Sequence, residues 1–317
     1  MTNEIKELEK YKVVNEFLRQ YDWLFVSPLF FQGYELDYFY KLSLQDACDK
    51  SEVTNLIFHK FYQLDWSASF IEGYCKRCNY IEPFLKSIEH SLILTFQRDY
   101  EGGIKTLIPI IEGILRKYLN TERDIDNSKV KFSHLKEAFT YLKSDLILEV
   151  KSRDSQDRFN EMNEYYEIWF SFVFEFIDKS FYLNTNRNVL TNELNRHSIL
   201  HEFGLAFEYN LENYIKVYFV LHFLTWIFLQ KEKKSMLNEI NGFRFFEKAM
   251  AYQSIIKYSE KVAYNKHLLL KNYEGYNPQL LRDILHVKFP KLLPWRMMMK
   301  YKISKKHEEF LWKHKLK

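Results

Sequence analysis

Eight glycines and six prolines are the only strong chain breakers in 317 residues. A fold built of many short strands needs a turn every few residues, and turns draw heavily on those two residue types. With so few of them, the chain is restricted to long, uninterrupted elements, and helices are the long elements available to a globular chain. Apolar spacing agrees. Residues 5–21 place Ile5, Leu8, Val13, Phe17 and Tyr21 at roughly helical intervals with charges between them. Residues 52–64 repeat the pattern with Val53, Leu56, Ile57, Phe61 and Leu64. Residues 82–96 form a third stripe (Phe84, Leu85, Ile88, Leu92, Phe96), with Pro83 near the first turn, where its missing N–H does no harm.

Further along, residues 97–103 read as a turn carrying two glycines, followed by a strongly apolar helix over 104–119. Pro109 inside that helix predicts a kink or a late start. Residues 121–131 read as a charged loop, and residues 132–150 as a helix with Ser133 as N-cap. Aromatic residues crowd 165–181, which predicts a helix buried on most sides. Asn210 or Asn213 can cap a last apolar helix running through Tyr214, Val217, Leu221, Leu224 and Phe228, and a charged connector follows from Lys231.

Charge and cysteine content narrow the setting. The formal net charge is +4, but residues 286–317 hold ten Lys or Arg against two Glu, a net of +8. Interleaved Phe289, Trp295, Tyr301, Phe310 and Trp312 suit single-stranded nucleic acid through phosphate contact and stacking. They suit an interfacial helix nearly as well, and a solvated basic face is the plain alternative. Three cysteines, an odd count, fit a reducing compartment. The first twelve residues are charged and resemble neither a secretion signal nor an anchor. The most apolar run, residues 217–229, falls short of the ~20 residues a bilayer span requires. The expectation is a soluble, cytoplasmic protein without a membrane span.

Cys75 and Cys78 form a C-x-x-C, half of a zinc set without a second half at finger spacing. Two half-buried thiols on a helix is the plainer expectation. His197 and His201 stand four apart, but the Glu that a metalloprotease helix carries after the first His follows the second one here, as Glu202. No metal and no cofactor is expected. Phosphate-binding glycine loops and a serine nucleophile elbow are missing from the sequence.

The sharpest chemical signal is Asn195-Arg196-His197-Ser198-Ile199-Leu200-His201. Imidazole exchanges protons near neutral pH, and guanidinium holds phosphate through several donors. Five residues of ideal helix turn about 500°, which leaves Arg196 and His201 about 140° apart. With Asn195 as N-cap, Arg196 falls in the first turn and can fold back towards an anion at the helix terminus. A continuous helix from about residue 189 would instead separate the two.

This Arg-x4-His spacing, with a polar residue after the Arg, resembles the signature of HEPN ribonucleases. The stretch 99–114, with a Tyr … Ile … Leu … Glu-Gly-Ile pattern that ends at Glu112-Gly113-Ile114, resembles the helix that precedes the motif in large bacterial members of that superfamily. The resemblance covers roughly half the chain and departs from the pattern at Glu202, where many members carry Gly. It implies an all-α fold with a HEPN-like four-helix bundle core at 81–230, an N-terminal helical region at 1–80 and a basic, helical C-terminal extension at 231–317. It further implies a metal-independent endoribonuclease, Arg196 and His201 being catalytic and Asn195, His197 and Glu112 positioning substrate. Glu112 can equally be an inward carboxylate paired with an arginine. The partners implied are RNA, a second copy in a homodimer, and an antitoxin or defence-system protein, in the setting of a toxin or antiphage effector. The alternative is a non-catalytic helical module that binds RNA or a partner protein.

Overall fold

A computed structural model describes residues 3–23, 34–45, 49–61, 64–153, 156–178, 209–233, 247–255 and 257. These residues are all-α, and no strand occurs among them. The helices are α1 (Asn3–Arg19), α2 (Tyr34–Ser43), α3 (Lys50–Phe61), α4 (Leu64–Ser69), α5 (Leu85–Phe96), α6 (Tyr100–Arg123), α7 (Phe132–Arg153), α8 (Gln156–Phe176) and α9 (Leu211–Lys231). A π-helical turn, Phe70–Tyr74, and a 3-10 turn, Cys75–Arg77, link α4 to the segment before α5. The chain divides into two compact units, residues 1–250 and 251–317. The first holds α1 to α9; the described residues of the second, 251–255 and 257, are helical.

Helix α9 is the centre of the first unit. Every residue from Val217 to Leu229 is buried, which calls for neighbours on all sides. It packs against α3, the π-turn, α6 and α7. Aromatic pairs join it to α8, Tyr166 and Trp169 meeting Trp226 and Phe170 meeting Phe223 edge-on. Each fully buried Phe, Leu or Ile contributes about 1.5–3 kcal/mol, so this one helix carries a large share of the core. The Asn210 side chain caps it by accepting the Asn213 N–H at 2.9 Å. Asn210, of the two asparagines, is therefore the cap.

α5 and α6 form a tight hairpin. Arg98 turns the chain with φ 65°, and Asp99 caps α6 by accepting the Gly102 N–H at 2.9 Å. α6 thus begins at Tyr100 and takes in both glycines that the sequence reads as turn residues. The reason is packing. A Cβ on Gly103 would lie 2.5 Å from Thr95 Oγ1 and 3.2 Å from the Tyr214 ring, so only glycine lets α6 approach α5 and α9 there. Pro109 sits on the exposed side within the helix and marks no late start. α6 also runs on to Arg123, absorbing the first three residues of the expected charged loop. Ser133 lies inside α7 rather than at its cap; beside that end, His134 Nδ1 accepts the Lys131 N–H at 3.2 Å.

Among the described residues, no helix is long and apolar enough to cross a membrane.

Candidate functional site

Of the residues singled out by the sequence, Asn195, Arg196, His197 and His201 lie outside the described residues, as does the basic stretch 286–317. In chain order the Arg-His motif falls between the end of α8 and the Asn210 cap of α9. Glu112 is described. It is buried on α6, the helix that packs along α9 and, with α5, makes the hairpin. It therefore points inward.

The structure adds a polar cluster at the C-terminal end of α9. Asp145 on α7 accepts the Tyr118 hydroxyl at 2.7 Å, an N–H of Arg123, and Lys231 Nζ at 3.1 Å. Lys231 also pairs with Glu122 at 3.0 Å, and Glu122 accepts the Tyr80 hydroxyl. Burial alone would raise the Asp145 carboxyl, but hydrogen bonds from Tyr118, Arg123 and Lys231 outweigh it and hold the group below the usual carboxylate range. Glu122 is lowered in the same way by Tyr80 and Lys231. Burial and a carboxylate acceptor push the Tyr118 and Tyr80 phenols up. Burial works against the Lys231 ammonium, yet its two carboxylate partners raise its pKa. Each of these shifts moves a group away from neutrality. A general acid or base needs the opposite, so the cluster is a clasp joining α6, α7 and α9.

Sequence reading missed this clasp because Glu122, Arg123 and Lys231 look like loop charges. The usable signal was Tyr118 followed by Glu122 one turn later, on a helix whose apolar stripe runs through the same residues.

A second charged group lies near the C-x-x-C. Lys248 Nζ bridges Glu72, at 2.6 Å, and Glu89. Cys75 and Cys78 are thiols, fully buried rather than half-buried, and they belong to a 3-10 turn instead of a regular helix. Burial, first, and the neighbouring Cys78 push the Cys75 thiol up. No group of three or more His, Cys, Asp or Glu among the described residues is arranged to hold a metal ion.

The chain matches no protein-family model, no curated protein and no solved structure. Its functional reading therefore rests on its own residues and on the motif's resemblance.

Proposed function

We propose that the protein is a metal-independent endoribonuclease of HEPN type. What carries the reading is the Arg196-x4-His201 spacing, which falls in chain order just before the capped, buried helix α9 of an all-α unit. The inward carboxylate of Glu112 on α6 is compatible with it. In the proposed chemistry His201 serves as general base or acid for attack by the RNA 2′-hydroxyl on the adjacent phosphorus. Arg196 stabilises the charge that develops on the phosphoryl oxygens. Asn195, His197 and Glu112 position groups around them. The products carry 2′,3′-cyclic phosphate and 5′-hydroxyl ends, and DNA, which lacks the nucleophile, is spared. A homodimer would face two such motifs into one cleft, in keeping with a toxin or antiphage effector held in check by an antitoxin or defence partner.

The test is RNA cleavage in excess EDTA by the full chain beside Arg196→Ala and His201→Ala. The expected result is cleavage by the parent, a loss of at least 100-fold in each variant, and an untouched all-DNA oligonucleotide. Equal cleavage of DNA and RNA, or full activity in both variants, overturns the assignment. RNA binding without cleavage that survives both substitutions favours the non-catalytic module.

A further inference from the structure

The C-x-x-C sits at a junction that the ribonuclease reading does not use. Cys75 opens the 3-10 turn and Cys78 closes it, the Cys78 N–H donating to the Cys75 carbonyl at 3.2 Å. Side chains three residues apart eclipse one another in such a turn. A turn closed in this way keeps its end Cα atoms within about 7 Å, which overlaps the roughly 4.4–6.8 Å found across disulfides. One sulfur touches the C-terminal half of α9 and the other the residue that follows it. Cys75 Sγ lies 4.0 Å from Thr225 Oγ1, and the Cys78 thiol donates to the Glu232 carboxylate at 3.8 Å. That carboxylate also accepts the Asn79 N–H, at 2.9 and 3.2 Å to its two oxygens. Glu232 is the residue just past the last turn of α9, so one carboxylate fastens the end of the central helix to the cysteine turn.

The geometry points to a redox-responsive clasp: a peroxide converts Cys75 and Cys78 into an intrachain disulfide, which withdraws Cys78 from Glu232 and loosens the turn from α9. The thiolate of one cysteine attacks the peroxide O–O bond, giving a sulfenic acid and, after protonation, one water. The second thiol then displaces the sulfenic hydroxyl as a second water while the S–S bond forms. Two thiols lose two electrons and two protons, and one peroxide becomes two waters. Because both sulfurs are buried, the first attack waits for the turn to open, and opening is resisted by the Glu232 hydrogen bonds.

The test treats the full chain, with Cys48→Ser removing the third thiol, with hydrogen peroxide. Trypsin cuts after Lys76 and Arg77, between the two cysteines, so only a Cys75–Cys78 disulfide keeps the two peptides joined. The expected results are a mass loss of about 2 Da, from the two hydrogens removed, joined peptides that separate on reduction, and amide exchange at Asn79 at least tenfold faster in the oxidised protein. Glu232→Gln keeps the shape of the clasp and removes its charge, and should speed disulfide formation roughly tenfold without changing the product. Oxidation to sulfinic acid without joined peptides overturns the proposal, as does a disulfide seen only after denaturation. So does a disulfide that leaves Asn79 exchange unchanged. None of these results bears on RNA cleavage.

Discussion

The middle and the C-terminal end of α9 hold their polar groups in opposite ways. In the middle, His222 is fully buried, its ring stacked on Phe70 at 3.6 Å and on Trp66 at 4.8 Å, with Tyr218 at 4.7 Å. Its proton affinity is governed by burial, which pushes its pKa well below the usual histidine value. At the end of the helix, Lys231 stands among Asp145, Glu122, Arg123 and two tyrosines, and its charge is retained through partners. One stretch excludes charge, whereas the other balances it. The two should therefore fail under different conditions and at different pH.

The largest effect is expected at the charged end. Asp145→Ala removes the carboxylate that Tyr118, Arg123 and Lys231 share in a partly buried place, although Lys231 keeps Glu122 at 3.0 Å. Losing a charged acceptor shared by three donors costs roughly 2–3 kcal/mol, which chemical denaturation would read as a lower midpoint at an unchanged slope. A loss below about 1 kcal/mol would place the cluster with ordinary surface ion pairs. The acid dependence has a definite sign. The Asp145 carboxyl is lowered in the folded state, so its contribution is complete above the unfolded value of 3.8 and is lost as pH falls below it. The charged end should hold through mild acid and give way only beneath about pH 4.

His222 should respond earlier. Its folded pKa lies below the ordinary 6.5, so the unfolded chain binds a proton first as pH drops. Its contribution to stability is complete above 6.5 and is lost as pH falls from there towards the folded value. One proton changes stability by at most about 1.4 kcal/mol per pH unit, so the loss between pH 6.5 and 5 has a ceiling of about 2 kcal/mol. His222→Phe keeps an aromatic ring in the stack and removes the proton site. Melting temperatures of parent and variant from pH 7.5 to 5 separate the cases: a falling curve for the parent and a flatter one for the variant. Parallel curves would mean that His222 is not the group responsible.

The same contrast explains what the sequence disclosed. Apolar spacing located α9 and most other helices, because burial of a stripe is a local pattern that survives any tertiary arrangement. A cap at Asn210 or Asn213 is legible because capping is local too, and the structure selects Asn210. Charged positions are less legible at both ends of the clasp: Glu122 and Arg123 read as loop residues and Lys231 as part of a connector, because a charge says nothing of the partner that will neutralise it. Gly102 and Gly103 read as a turn, whereas Gly103 is a point of close approach to Thr95 and Tyr214. The Arg196 and His201 pair was legible as chemistry from residue types alone. Its convergence depends on where a helix begins, since the spacing turns about 140° in an ideal helix.

The smallest effects test whether neutral polar groups beside α9 behave like its middle or its end. Near the N-terminus of α9, the Ser91 hydroxyl donates to the Gly103 carbonyl at 2.8 Å and lies 3.1 Å from the Tyr214 hydroxyl, and the Thr95 hydroxyl donates to the Ser91 carbonyl at 3.0 Å. These groups are uncharged and buried, and burial pushes the Tyr214 phenol up, so none changes protonation in mild acid. Tyr214→Phe deletes one hydroxyl from this chain and should cost about 1 kcal/mol, equally at pH 7.5 and pH 5. The exposed pair Lys105–Glu101, at 2.8 Å one turn apart on α6, provides the comparison. Lys105→Ala should cost less than about 0.5 kcal/mol, and that difference should shrink in high salt. If Tyr214→Phe also became salt- or pH-dependent, the N-terminal part of α9 would belong with its charged end, and the division drawn along the helix would fail.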